Sequence, residues 1–353
     1  MSLRFTLGDW VNRSGGRLIG VDPSAPVGQM VVDSRAVEPG SLFCALPGRY
    51  EHGRRYARSA VQAGAVAVLL EPPVEADVPC WVNDNPLHAM AGVGRLCLEA
   101  IGARVVGITG SVGKTSTKVL TRAVLSSRFQ VEATPKNFNT QIGLPLALTA
   151  LQPRLDWFVA EMAMRARGEI RALTRIAPPD VAVITNIGPA HLSELGSLDA
   201  IMEAKAEILA GLKPGGIAVM NGDDARLRTL AERVSGQVLW YGQTAADVRI
   251  VQVTSGPGFV RVELGDAGGA ATLTVPWDGA YQAHNIAAAA AVGRALGPSW
   301  AEIGRGLATV QEDAGHFRRV QVGSLWILDD TYNASPASME GGLDVLAGEP
   351  GRR

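Results

Sequence analysis

Residues 107–116 read Gly-Ile-Thr-Gly-Ser-Val-Gly-Lys-Thr-Ser, a glycine-rich turn between an apolar run and a helical stretch. Glycines let a backbone wrap closely around an anion, and the amides of a helix N-terminus point at it. In such a turn Gly110, Ser111, Val112 and Gly113 form the cradle, and Lys114 reaches the terminal phosphates. Thr115 offers a hydroxyl to Mg²⁺, and Ser116 completes the nucleotide-binding set. The long pattern G-x-x-x-x-G-K-[ST] needs glycine at 108, where the chain has Ile108, so the match is the shorter G-x-x-G-K-T from Gly110 to Thr115. The alternative is an ordinary strand–helix turn. Strand, glycines, lysine and threonine all in register favour the cradle, with ATP as its ligand.

A second lysine stands out by its position. Residues 197–212 predict a helix capped by Ser197, with apolar side chains at 198, 201, 202, 208, 209 and 212. The missing member of that stripe is Lys205. Desolvation disfavours the charged form of an inward lysine, and a neutral amine can take up CO₂ to become a carbamate, an anion able to bind a metal. Periodicity leaves another reading open, in which the ammonium snorkels to the rim.

Glu161 closes the apolar run 157–160, and His191 follows the run that ends at Asn186. In open parallel sheets, ligands bind beyond the C-terminal ends of strands. A carboxylate and an imidazole at that edge, beside a phosphate loop, are candidate Mg²⁺ ligands, directly or through water. Singly, each reads as a hydrogen-bonded structural residue; with Lys114 and Thr115 they form a site.

The elements that must position these groups follow an α/β pattern. Apolar strands at 104–109, 157–160, 181–185 and 217–220 alternate with helical stretches, which predicts a mostly parallel sheet covered on both faces. Before them, short strands at 29–32, 41–45 and 65–70 and a helix at 56–63 make a small α/β unit. Residues 237–277 alternate with glycine-rich turns, as a small antiparallel sheet would, and a close-packed helix follows at 284–296. A strand at 325–328, a loop at 329–336 and a helix from 337 to about 346 complete the pattern. One such unit cannot bury its own apolar faces. The expected division is 1–101, 102–312 and 313–353, the last being the start of an incomplete domain.

The 353 residues suit two or three domains, and 47% hydrophobic with 19% charged residues excludes disorder, collagen and coiled coil. Lys+Arg 33 against Asp+Glu 34 leaves no basic excess for nucleic acid or an anionic membrane. Cys44, Cys80 and Cys97 form neither a disulfide framework nor a CxxC site, which points to a reducing compartment. With no apolar leader and no run approaching ~18 apolar residues, the expectation is a soluble cytoplasmic protein.

Taken together, Gly110–Thr115, the 137–145 segment Asn-Phe-Asn-Thr-Gln-Ile-Gly-Leu-Pro, Glu161, the 184–191 segment Ile-Thr-Asn-Ile-Gly-Pro-Ala-His, Glu203-Ala-Lys205 and His284-Asn285 resemble the Mur ligases. These are ATP-dependent amide-forming enzymes of peptidoglycan precursor synthesis. The 137–145 segment and 329–336 look like the members that join D-alanyl-D-alanine to UDP-N-acetylmuramoyl-tripeptide. Asp33-Ser34-Arg35 resembles the family's uridine-nucleotide domain. The resemblance implies a Rossmann-like third domain, two Mg²⁺ ions, and a monomer. It implies that Thr115 and Glu161 serve one metal, and that His191 and carbamylated Lys205 serve the other. Lys114, Lys205 and His191 would be catalytic. His284 and Asn285 would meet the adenine side, Arg319 and Asp330 would close over the nucleotide, and Ser34, Arg35, Asn137 and Asn139 would meet substrate. The family's arginine directly follows a glycine, whereas here Ala314-Gly-His-Phe-Arg-Arg319 leaves Arg318 and Arg319 both open, and Ala163 stands where glycine is common.

Two other readings remain at this stage. One is a folylpolyglutamate synthase-like ligase, which the Asp-Ser-Arg segment argues against. The other is a non-catalytic module that binds the UDP-precursor and ATP, because an incomplete third domain implies little or no turnover.

Overall fold

The computed structural model describes residues 5–74, 77–311, 318–323, 325–331 and 334–349. Phe317 of the arginine segment and Tyr332 and Asn333 of the 329–336 loop lie outside them. The chain forms two compact units: residues 1–103, 134–156 and 175–177 make the first, and 104–133, 157–174 and 178–353 the second.

In the first unit, Met30–Val31, Leu42–Cys44, Ala67–Leu70 and Cys80–Val82 pair in parallel, and Arg17–Ile19 adds antiparallel to the last of them. The three longer parallel strands are buried at every residue, as strands covered on both faces must be. The helix Pro86–Ile101 was not read from the sequence. Its start is set by Asn85, whose side chain accepts from the His88 amide, and by Pro86 in the first turn; left-handed Gly102 stops it. Gly94 lets this helix meet the helix Gly143–Thr149, because a Cβ there would lie 2.9 Å from the Pro145 Cα.

The second unit is built on a nine-stranded sheet ordered Gly269–Val275, Phe259–Asp266, Val248–Gly256, Gln237–Gly242, Ile217–Asn221, Val181–Ile184, Arg104–Thr109, Trp157–Glu161 and Val131–Ala133. Pairing is parallel from Val131–Ala133 through to Val248–Gly256 and antiparallel beyond. Of the span 237–277 expected as a small antiparallel sheet, Gln237–Gly242 instead pairs in parallel on both sides, and only the three strands after it are antiparallel to one another, continuing the same sheet rather than forming a separate one. The alanine-rich helix Gln282–Leu296 buries Ala287 through Ala291 completely. Gly293 and Gly306 bring two helices close to the helix Lys114–Ser126.

Register fixes what this sheet presents. Ile108 pairs with Glu161 and with Val183, and Ile184 pairs with Thr109 and Met220. The loops after Thr109, Glu161, Ile184 and Asn221 thus leave one edge of one parallel sheet. Near the C-terminus, Arg318–Val322 and Leu325–Asp329 form a hairpin, followed by the helix Pro336–Gly348. The first of these strands escaped the sequence reading, since Arg318, Arg319 and Gln321 disguise it.

Candidate active site

Buried strand Arg104–Thr109 delivers the chain to Gly110, whose φ of 152° and close approach to Thr185 exclude a side chain. The loop is braced from the neighbouring strand's end. The Ser111 amide donates to the Asn186 carbonyl (3.1 Å), the Val112 amide to Asn186 Oδ1 (3.0 Å), and Asn186 Nδ2 returns a bond to the Val112 carbonyl (3.0 Å). Thr185 donates to the same carbonyl at 2.6 Å, and Ser111 Oγ exchanges bonds with Gly188. The amides of Ser111 and Val112 are thus spent inside the protein. The amides that could face an anion are those of the first helical turn, at Lys114, Thr115 and Ser116, where Gly113 caps the helix without a side-chain bond.

Lys114 folds back on its own loop, donating to the carbonyls of Gly110 (2.9 Å) and Ser111 (3.1 Å). Burial lowers its pKa, against the pull of Glu161. Thr115 Oγ1 donates to Glu161 Oε2 at 3.0 Å, and Glu161 is 3% exposed. A hydroxyl and a carboxylate side by side are hard oxygen donors of the kind Mg²⁺ takes, with phosphates and water completing its shell. Among the described residues no group of three or more His, Cys, Asp or Glu gathers around a metal position. Thr115 and Glu161 could supply two ligands of such a site.

Lys205 lies on the helix Leu198–Ala210, capped by the Ser197 hydroxyl as expected. The side chain is 2% exposed, so the ammonium does not reach the rim. Its Nζ donates to the Gly110 carbonyl at 2.9 Å, the same oxygen that Lys114 uses. Burial, helped by Lys114, pushes its pKa down to about 7. His191 is half-buried in the left-handed conformation (φ 62°) ahead of the short helix Leu192–Leu195. Burial lowers its pKa; Glu194 opposes this, and Lys205 and Lys114 reinforce it. The structure thus brings Lys114, Thr115, Glu161, His191 and Lys205 to one sheet edge.

His284 and Asn285 open the buried helix Gln282–Leu296. Asn285 accepts from Thr117 (3.3 Å) and packs against Gly113, while His284 pairs with Asp223 at 3.0 Å. Burial pushes the Asp223 carboxyl up, but the amides of Gln243 and Thr244 with His284 outweigh it and hold the pKa at about 2. Arg319 does not bond the loop. It pairs with buried Asp278 (2.8 Å) and with Glu349 (2.6 Å). Asp330 is half-buried just after the strand Leu325–Asp329. The remaining candidates belong to the first unit. Ser34 and Arg35 start a 3₁₀ turn capped by Asp33, which Arg35 binds at 2.7 Å, and Asn139 donates its amide to the Asn137 carbonyl.

Thr185 and Asn186, which brace the loop, were missed as site residues. Gly113 yields a direct test of the loop. It has φ of 81°, and a Cβ would run into Asn285 Oδ1. Gly113→Ala is expected to weaken ADP binding by at least about tenfold, or about 1.4 kcal/mol, measured by calorimetry. Unchanged affinity would remove Gly113 from the cradle.

Residues 108–293 match the model of the Mur ligase middle domain, and residues 27–94 that of the Mur ligase family, catalytic domain. The chain is 37% identical over 332 residues to the UDP-N-acetylmuramoyl-tripeptide--D-alanyl-D-alanine ligase of Synechocystis sp., covering 93% of this chain and 71% of that protein. It superposes on MurF from Acinetobacter baumannii with a TM-score of 0.91 at 30% identity, over 98% of this chain and 77% of that one. MurF ligase from Thermotoga maritima, solved in complex with ADP, gives a TM-score of 0.83 at 33% identity, over 92% and 76%. The chain belongs to the Mur ligase family.

Proposed function

We propose that this chain is an ATP-dependent ligase that joins D-alanyl-D-alanine to UDP-N-acetylmuramoyl-tripeptide, acting in the cytoplasm as a monomer. The observation that carries the reading is the phosphate loop with Thr115 bonded to Glu161 and two lysines on the Gly110 carbonyl, in a chain whose relatives bear that ligase's name. Three buried free cysteines suit a reducing compartment. No helix among the described residues is long and apolar enough to cross a membrane.

In this reading the tripeptide carboxylate attacks the γ-phosphate of ATP, forming an acyl phosphate and ADP. The dipeptide amine then adds to the acyl carbon, and the tetrahedral intermediate expels phosphate. Lys114 swings from its two loop carbonyls to the β- and γ-phosphates, where charge spreads in the transition state. Thr115 and Glu161 would hold one Mg²⁺, and His191 with carbamylated Lys205 a second; bound there, the ions neutralise charge on the transferring group. Asn285, fixed to Thr117, and His284, fixed to Asp223, border the base. Arg319 and Asp330 contribute from the C-terminal segment once Arg319 leaves Asp278. Ser34 and Arg35 receive the uridine diphosphate, and Asn137 and Asn139 the peptide end of the precursor.

A match to the Mur family at residues 27–94 favours this reading over a folylpolyglutamate synthase-like one. The test is phosphate release by the full-length protein with ATP, UDP-precursor and D-Ala-D-Ala, each omitted in turn. Release that needs all three is expected, and release indifferent to the UDP-precursor or the dipeptide would overturn the reading. Calorimetric titration with ADP and with UDP-precursor reads the same sites without turnover.

A further inference from the structure

Lys118 takes no part in the chemistry above, yet it is buried beside it. Its side chain is 3% exposed, and its Nζ lies 3.3 Å from Glu161 Oε2, the same oxygen that accepts the Thr115 hydroxyl at 3.0 Å. Lys114 and Lys118 sit one turn apart on the helix Lys114–Ser126, where two like charges repel unless an anion lies between them. Glu161, from the end of the neighbouring strand, is that anion. Stability alone does not account for the pair, since the attraction of two buried charges only about offsets their desolvation and an apolar pair would fill the same space. Buried charges with such geometry fix orientation. Here the fixed group is a carboxylate held by one oxygen at a hydroxyl on the first turn of the phosphate-loop helix.

We propose that Lys118 is a positioning residue for a divalent cation: it holds Glu161 against Thr115, so that hydroxyl and carboxylate meet the ion as a preformed pair. The same ammonium balances the charge of the buried carboxylate before the ion arrives. This rests on the reading of the loop as a metal–nucleotide site. Removing the ammonium leaves Glu161 to turn toward other partners and costs the geometry that a small, octahedral ion demands. Arginine would keep the charge and the bond to Oε2, at the expense of some packing.

The test is Mn²⁺ binding to this chain in the presence of ADP, counted by electron paramagnetic resonance, alongside ADP affinity in EDTA. Lys118→Met is expected to weaken Mn²⁺ about tenfold, and Lys118→Arg to keep most of the affinity. Metal-free ADP affinity should be unchanged in both. Lys118→Gln, which keeps a polar but uncharged end one bond short of the ammonium, carries the measurement if the methionine variant does not fold, with the same loss of Mn²⁺ expected. Combined with Glu161→Gln, Lys118→Met should add no further loss of Mn²⁺, because both act through one carboxylate. A variant that melts earlier but binds Mn²⁺ as the unmodified chain does would overturn the proposal and leave Lys118 a structural ion pair. Additive losses in the double variant would overturn it too. An unmodified chain that takes up neither ADP nor Mn²⁺ would instead bring down the reading of the loop, and this role with it.

Discussion

Lys114→Ala is expected to lower ATP-dependent phosphate release by about 10²–10³-fold, the loss typical of removing one preorganised donor from a developing charge. The ammonium is the one flexible cation of the loop, held ready on the carbonyls of Gly110 and Ser111. A phosphate outcompetes those carbonyls because it adds full charge–charge attraction to the ammonium's hydrogen bonds. The same bonds also tie the residue to the fold. Lys114 is half-buried, and alanine deprives two carbonyls of a donor, so a loss of about 1 kcal/mol in stability should accompany the catalytic effect. ADP affinity should fall as well. Measuring phosphate release, ADP binding and thermal unfolding on one preparation separates these effects. Unchanged release and unchanged affinity in the full-length protein would sink the role given to Lys114.

The parts of this site legible in sequence are those that local chemistry dictates. Gly110, Gly113, Lys114 and Thr115 form a contiguous pattern whose conformational and electrostatic needs select those residue types. Glu161 and His191 were located by a rule of parallel sheets, and the register of Ile108 with Glu161 and Val183 agrees with that placement. The Lys205 position was visible because a helix stripe has a fixed period. Contacts between distant segments were not legible. Asn186 braces Val112 across 74 positions and Arg319 meets Asp278 across 41, and neither pairing has a local signature. Lys118 was hidden for a different reason: a lysine on a helix ordinarily marks the solvated face, and only burial against Glu161 distinguishes it. Segment 134–156 groups with the first unit although it follows the phosphate loop in sequence, an interleaving that a linear division of the chain does not express.

Lys205 carries the other large effect. Its amine is 2% exposed, and the bond it makes is to a backbone carbonyl shared with Lys114, with no carboxylate on it. An ammonium in that setting is costly, and burial with Lys114 nearby brings the pKa down to about 7, so the neutral amine is plentiful at physiological pH. Addition of CO₂ to that amine, with loss of a proton, would form a carbamate with its negative charge near Lys114. Lys205→Ala should therefore reduce phosphate release by about 10²–10³-fold, and short carboxylates such as acetate should restore part of it by supplying an anion. Lys205→Arg should not restore it, because guanidinium stays charged and takes up no CO₂. The sign of the pH effect follows from the depressed pKa: below about 7 each pH unit removes about tenfold of the reactive amine, so carbamate should be lost on acidification and regained with bicarbonate. Carbon-13 bicarbonate offers a readout independent of turnover, a carbamate resonance present in the unmodified chain at pH 8 and missing from both variants. Full activity of Lys205→Arg, or no such resonance with Mg²⁺ and ADP present, would reject the carbamate and leave Lys205 as a buried donor to Gly110.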